Sequence, residues 1–193
     1  MMQLLRFSDY KKMPWKNGAG FTLELARSTG QDLAAFDWRI SMADVTTSGA
    51  FSPFIGMQRL LTVLTGEGID LHIEEQTLRL NAMQTAQFGG EQAVSCDLIA
   101  GAIRDFNLIY DPDKYAARYQ WIHTAEALQV FSAADVIFLF NYAQCQIELC
   151  VDGQDLVLDT QQSLLIQAHQ KLHAIEFKAA QFRQCCLIEL TKN

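Results

Sequence analysis

The 193-residue chain is half hydrophobic and carries a formal net charge of −7, enough length and apolar content for a full core in one large or two small domains. The acidic balance argues against nucleic acid, which needs a basic surface, and no apolar run is long enough to span a membrane. The N-terminal "MMQLLRFSDYKK" lacks the apolar segment and cleavage site of a signal peptide, so a cytoplasmic protein is expected.

In chain order, a short helix is expected around Asp9–Met13. The stretch "PWKNGAGFTLELA" (14–26) follows. Its glycines suit a tight turn or close backbone approach. Beyond them Thr22 and Glu24 share one strand face, and Phe21, Leu23 and Leu25 the other. Trp38, Ile40 and Met42 alternate with Arg39, Ser41 and Ala43. Arg59 opens the apolar strand "RLLTVL". Ile69, Leu71 and Ile73 alternate with Asp70, His72 and Glu74, and Leu78 and Leu80 continue the pattern. Asp105 and Asn107 share one face of "RDFNLIY". Turn signals at Asn17-Gly18, Ser48-Gly49, Gly66–Gly68, Gly89-Gly90 and Asp152-Gly153 separate these runs. An Asp before Pro112 predicts a second helix over Pro112–Tyr119. Many short strands with regular turns predict an all-β sandwich or barrel.

A weak repeat runs at an offset of 78. It lays "LHIEEQTLRLNAMQTAQF" (71–88) over "LCVDGQDLVLDTQQSLLI" (149–166), matching Leu78 with Leu156, Leu80 with Leu158 and Gln84 with Gln162. Two similar β-units in tandem would explain it. The expected division is 1–110 and 111–193, with strands that could be shared. Asp105 and Asn107 meet Arg183 and Cys185, so the second copy has lost what the first presents.

The five cysteines are odd in number and form no Cys-x-x-Cys pair, which excludes a disulfide framework and a structural zinc site. Adjacent Cys185 and Cys186 read as small apolar strand residues. His169 and His173 are four apart in surroundings that read as strand and loop, where that spacing does not share a face. His72 reads as solvated. No metal ligand set and no cofactor are therefore expected. In a closed β-sandwich one strand face fills the core and the other can line a cavity. Polar residues enclosed there need partners. Lys16, Arg39 and Arg59 against Glu24 and Asp105 would leave one net positive charge, suited to a carboxylate in an arginine fork. Surface ion pairs are the competing reading.

The segments "WKNGAGFTLELA", "DWRISMADVTTSGAFSPFIGMQRLLTVLTGEG" and "DFNLIYD" resemble the HutD/Ves proteins in order and spacing over about the first 110 residues. Ala19 stands where many relatives have Gly. The resemblance implies cupin-type jelly-roll barrels, two similar units in one chain, that is, a bicupin. Metal-dependent cupins carry a His-x-His pair plus Glu, whereas "GEGIDLHIEE" supplies only His72. The resemblance also implies a link to histidine utilisation. By motif it makes Trp15, Lys16, Asn17, Thr22, Glu24, Arg39, Arg59, Asp105 and Asn107 pocket candidates. The leading expectation is a metal-free protein that binds a small carboxylate, regulatory or accessory in that pathway. A hydrolase or isomerase using Glu24 or Asp105 as general base is the second. A non-catalytic interaction scaffold is the third, in which dense apolar strands such as "DVIFLFNY" (135–142) would form a homodimer edge, although the core is the favoured place for them.

Overall fold

The computed structural model describes residues 1–15, 20–28, 35–167, 171–178 and 184–193. The chain opens with β1 (Met2–Leu5), a 3-10 turn (Phe7–Asp9) and β2 (Lys11–Pro14). Then come β3 (Phe21–Arg27), β4 (Trp38–Val45), β5 (Gly49–Ala50), β6 (Gln58–Thr65) and β7 (Ile69–Ile73). After β8 (Gln76–Leu80), β9 (Thr85–Gly89) and β10 (Val94–Leu98), β11 (Ile103–Tyr110) completes the first half. The second half holds β12 (Tyr115–Ile122), β13 (Leu128–Ser132), β14 (Val136–Asn141) and β15 (Ile147–Val151). It ends with β16 (Gln154–Leu158), β17 (Ser163–Gln167), β18 (His173–Phe177) and β19 (Cys185–Lys192). Among the described residues no helix is long and apolar enough to cross a membrane.

Tyr10–Pro112 form one compact unit, and Met1–Asp9 with Asp113–Asn193 form the other. The first unit has a six-stranded sheet, β2-β3-β4-β11-β6-β9, and a four-stranded sheet, β5-β10-β7-β8. In the second the orders are β1-β17-β14-β19-β12 and β13-β18-β15-β16. The order β4-β11-β6-β9 maps onto β12-β19-β14-β17, and β5-β10-β7-β8 onto β13-β18-β15-β16. The two halves are therefore copies of one jelly roll, and the repeat read from a few leucines is structural. Its backbone details recur at the same offset. Glu74 and Asp152 take φ of 52° and 50°, and Met83 and Gln161 take 63° and 61°. Asn81 N–H donates to Gln84 Oε1, as Asp159 N–H donates to Gln162 Oε1. Non-glycine residues reach positive φ at some cost, so its repetition at matched sites marks one turn design used twice.

The two helix expectations are corrected. Tyr115–Ile122 is strand β12, in register with β19 along its whole length. Its Tyr, Tyr, Trp and Ile are strand formers, and the Asp-Pro signal opens the turn before it. Lys11–Pro14 is likewise a strand, paired with β3, and only Phe7–Asp9 is helical. The division of the chain also differs at its start: β1 lies in the second unit, paired with β17.

Inward side chains of both sheets build the core of each sandwich. In the second unit Ile137, Leu139, Leu149, Leu164, Ile175, Phe177, Cys185 and Leu187 form an apolar interior. By strand register Ile137 and Leu187 take the places of Arg59 and Asn107, and both are fully buried. Apolar groups thus take these two places in the second copy. In the first unit Leu61, Val63, Leu71, Phe88, Val94 and Ile103 build a similar core, which occupies only part of the interior.

Candidate functional site

The rest of the first unit's interior is a cavity of about 720 Å³. Strand pairing explains its lining. On β4, Arg39, Ser41 and Ala43 alternate to one face. Ala43 lies opposite Thr22 and Asp105, and Ser41 opposite Glu24 and Asn107. All sit on the inward face of the six-stranded sheet, and Arg59 joins them from β6, opposite Ile109.

Of the nine sequence candidates, Trp15, Thr22, Arg39, Arg59, Asp105 and Asn107 line this cavity. Glu24 is buried but stands behind Arg39. Lys16 and Asn17 lie outside the described residues. Trp15 Nε1–H donates to Thr22 Oγ1 at 3.0 Å, which fixes the indole at the wall. Trp15 N–H donates to Gly20 O at 2.9 Å. A Cβ at Gly20 would press on the Trp15 ring at 3.2 Å, so glycine lets the ring lie against the returning chain.

Arg59 is 5% exposed. Its guanidinium carbon lies 5.1–5.5 Å from the ring centroids of Phe51, Phe54 and Phe88, a box that offers cation–π attraction in place of water. Nη1 donates to Ser52 O at 3.3 Å and Nη2 to Asn107 Oδ1 at 3.0 Å. Nε has no hydrogen-bond partner. Asn107 Nδ2–H in turn donates to Asp105 Oδ1 at 2.8 Å, which also accepts from Ala43 N–H at 3.1 Å. Asn107 thus separates Arg59 from Asp105 and bonds both. Desolvation lowers Arg59 to about 10, against the attraction of Asp105, and it stays charged at neutral pH. Desolvation also drives Asp105 up to about 7, although Arg59 and its two donors pull it down.

Arg39 Nε lies 3.0 Å from Glu24 Oε2, yet neither atom makes a hydrogen bond. The distance defines an ion contact. Burial lowers the Arg39 pKa, Glu24 raises it and Arg27 lowers it. Arg27 reaches this row because a β-bulge after Glu24 shifts the register, setting it opposite Arg39. Both guanidiniums flank the Phe36 ring, at 5.7 and 5.9 Å.

Sequence reading missed Arg27 and the aromatic box. Phe51, Ser52 and Phe54 sit on the β5–β6 loop, which no periodicity marks. That loop is tied down by Phe54 N–H to Gly90 O and Gly90 N–H to Met57 O, both 2.7 Å. A Cβ at Gly90 would collide with the Phe54 carbonyl. Gly90→Ala is therefore expected to displace the loop, cost about 1–3 kcal/mol and weaken pocket binding about tenfold with the far-ultraviolet spectrum unchanged. Unchanged affinity would show that the loop does not position Arg59.

A cupin metal does not fit these residues. Two guanidiniums oppose a cation, and among the described residues no histidine lines the cavity. His72 sits on the outward face of β7, bonded to Thr77 Oγ1 and Asp97 Oδ2 at 2.9 Å each. Among the described residues no group of three His, Cys, Asp or Glu could hold a metal.

A model of the HutD family matches residues 7–187. The chain is 43% identical over 191 residues to an uncharacterized 21.2 kDa protein in the hutC 3′ region of Pseudomonas putida, covering 98% of this chain and 97% of that one. Against Protein Ves of Escherichia fergusonii it is 37% identical over 112 residues, 54% of this chain and 57% of that one. A conserved protein of unknown function from Pseudomonas aeruginosa superposes with a TM-score of 0.94 at 39% identity, over 99% of both chains. HutD from Pseudomonas fluorescens superposes at 0.85 and 40%, over the full length of both. At 12% identity, a bacterial pirin from Escherichia coli in complex with nickel(II) shares the fold, with a TM-score of 0.71 over 99% of both chains.

Proposed function

The chain belongs to the HutD family, and from that premise we propose that its first barrel is a metal-independent pocket for a small carboxylate, with a regulatory or accessory part in histidine utilisation. One observation carries the reading: two guanidiniums, Arg39 and Arg59, line one cavity, and Arg59 is buried with Nε unpartnered. Two guanidiniums on one cavity wall favour an anion there, and the planar fork suits a carboxylate. The cavity exceeds what a bare anion fills and lies in the range of small-molecule sites. The ligand therefore has a carbon body, set against Trp15, Phe51 and Phe54. Both ends of the Asn107 amide are engaged by Arg59 and Asp105, so its part is to position them rather than to read the ligand. The P. putida relative in the hutC 3′ region supports the pathway.

The test is a thermal-shift series with histidine, urocanate, formylglutamate, glutamate and formate, with and without chelator. A ligand at 100 times its dissociation constant adds about 2.7 kcal/mol. Arg39→Ala should lose the shift. A shift that requires added metal, or one that Arg39→Ala keeps in full, would overturn the reading.

Asp105 also favours a second reading, a hydrolase or isomerase. Its carboxyl lines the cavity with a pKa near neutral, where a general base works best. Glu24, held at Arg39 and absent from the lining, is the weaker candidate. Turnover of a bound compound, abolished in Asp105→Asn with binding retained, would establish catalysis.

A further inference from the structure

Among the described residues lining the cavity Asp105 is the sole acid. An incoming carboxylate would meet it as like charge. Both hydrogen bonds that Asp105 accepts fall on Oδ1, which leaves Oδ2 to carry a proton. The charged and titratable groups around it come from five strands. Arg59 stands on β6, 3.0 Å from the Asn107 oxygen that links the two. Arg39 and Asp44 stand on β4, Glu24 on β3, Arg104 on β11 and Cys96 on β10. Arg39 is in contact with Glu24, and Arg104 grips Asp44 with two hydrogen bonds of 2.6 and 2.9 Å. Burial pushes the Cys96 thiol above its ordinary value, so it stays protonated at neutral pH.

We infer that Asp105 takes up one proton from solvent when a carboxylate enters the cavity and donates it from Oδ2 in a hydrogen bond to that ligand. The inference rests on the carboxylate reading. It makes Asp105 a specificity-determining donor: the pocket binds an anion together with a proton and keeps its charge constant. Two carboxyl groups confined to one dry site share a proton because both cannot stay ionised. In the empty pocket Asp105 already sits at about 7, and a second anion raises it further. Above about pH 7 the empty site is ionised and must gain a proton to bind, so affinity falls as pH rises. Below about pH 6 it is already protonated, and affinity is flat.

Formate is a suitable probe, since it stays ionised from about pH 5.5 to 9. Its dissociation constant would be followed across that range. Proton exchange would be read by calorimetry in two buffers of different ionisation heat. The expected result is a plateau near pH 6, then a loss of about tenfold per pH unit above 7, with uptake approaching one proton per formate. Asp105→Asn keeps an oxygen for both donors and offers an N–H in place of the acid proton. It should bind formate at about pH 8.5 as tightly as the unaltered protein at pH 6, without a slope. Formate binding with constant affinity and no proton exchange overturns the inference and leaves the carboxylate reading standing. Formate binding to neither protein at any pH overturns the inference, and the carboxylate reading is then decided by the larger carboxylates of the thermal-shift series.

Discussion

Replacing Arg59 with methionine is expected to abolish carboxylate binding and to destabilise the protein in a pH-dependent way. Methionine fills the box of Phe51, Phe54 and Phe88 without the charge. Loss of a bidentate, desolvated anion contact corresponds to about 100-fold or more in affinity. Without its countercharge Asp105 moves above its value of about 7 and takes up a proton at about pH 8. That forced protonation adds at most about 1.4 kcal/mol, one pH unit's worth, to the lost bonds and packing. At about pH 5.5 Asp105 is neutral in both proteins, and the cost shrinks to lost hydrogen bonds and packing, on the order of 1 kcal/mol. Denaturant unfolding of both proteins at the two pH values checks this. An equal loss at both would mean that Asp105 carries no charge that Arg59 balances.

Asp105→Asn should do the opposite, stabilising the protein above neutral pH. The folded-state pKa of Asp105, about 7, lies above the ordinary 3.8 because burial penalises the anion. The folded state therefore holds the extra proton between about pH 4 and 7. The contribution of this group to stability is fully present below pH 4 and is lost as pH rises through 7. A shift of this size corresponds to a few kcal/mol. The asparagine has no charge to desolvate and can keep the bonds to Ala43 N–H and Asn107. Its unfolding midpoint should match that of the unaltered protein near pH 4 and exceed it at pH 8. Parallel curves would sink the assignment. A residue that costs stability where it is ionised is what a binding site retains for use rather than for folding.

The site was legible where alternation alone decides which way a side chain points. Arg39 with Ser41, and Asp105 with Asn107, share faces at period 2, and pairing carries them to one wall. Both jelly rolls were legible because their turns repeat at one offset. Arg27 was hidden because its place depends on a bulge, and one extra residue reverses parity without a mark in the local sequence. The box around Arg59 was hidden because Phe51, Phe54 and Phe88 come from a loop and a distant strand, and only the Gly90 contact brings the loop down. The 112–119 helix failed because an Asp-Pro start signal is local, whereas the partner that makes β12 a strand lies at Cys185–Lys192.

The pairing of β1 with β17 sets the order in which the chain can mature on the ribosome. Met2 meets Ile166, so about 160 residues must be made before the first strand has a partner. At 5–20 residues per second this takes roughly 10–30 s. The first unit, Tyr10–Pro112, is complete well before then and is free to close first. Meanwhile "MQLL" remains an unpaired, apolar leading strand, a target for chaperones and for the wrong edge. The two units thus mature on separate clocks, and β1 is seated only after its partner β17 has emerged.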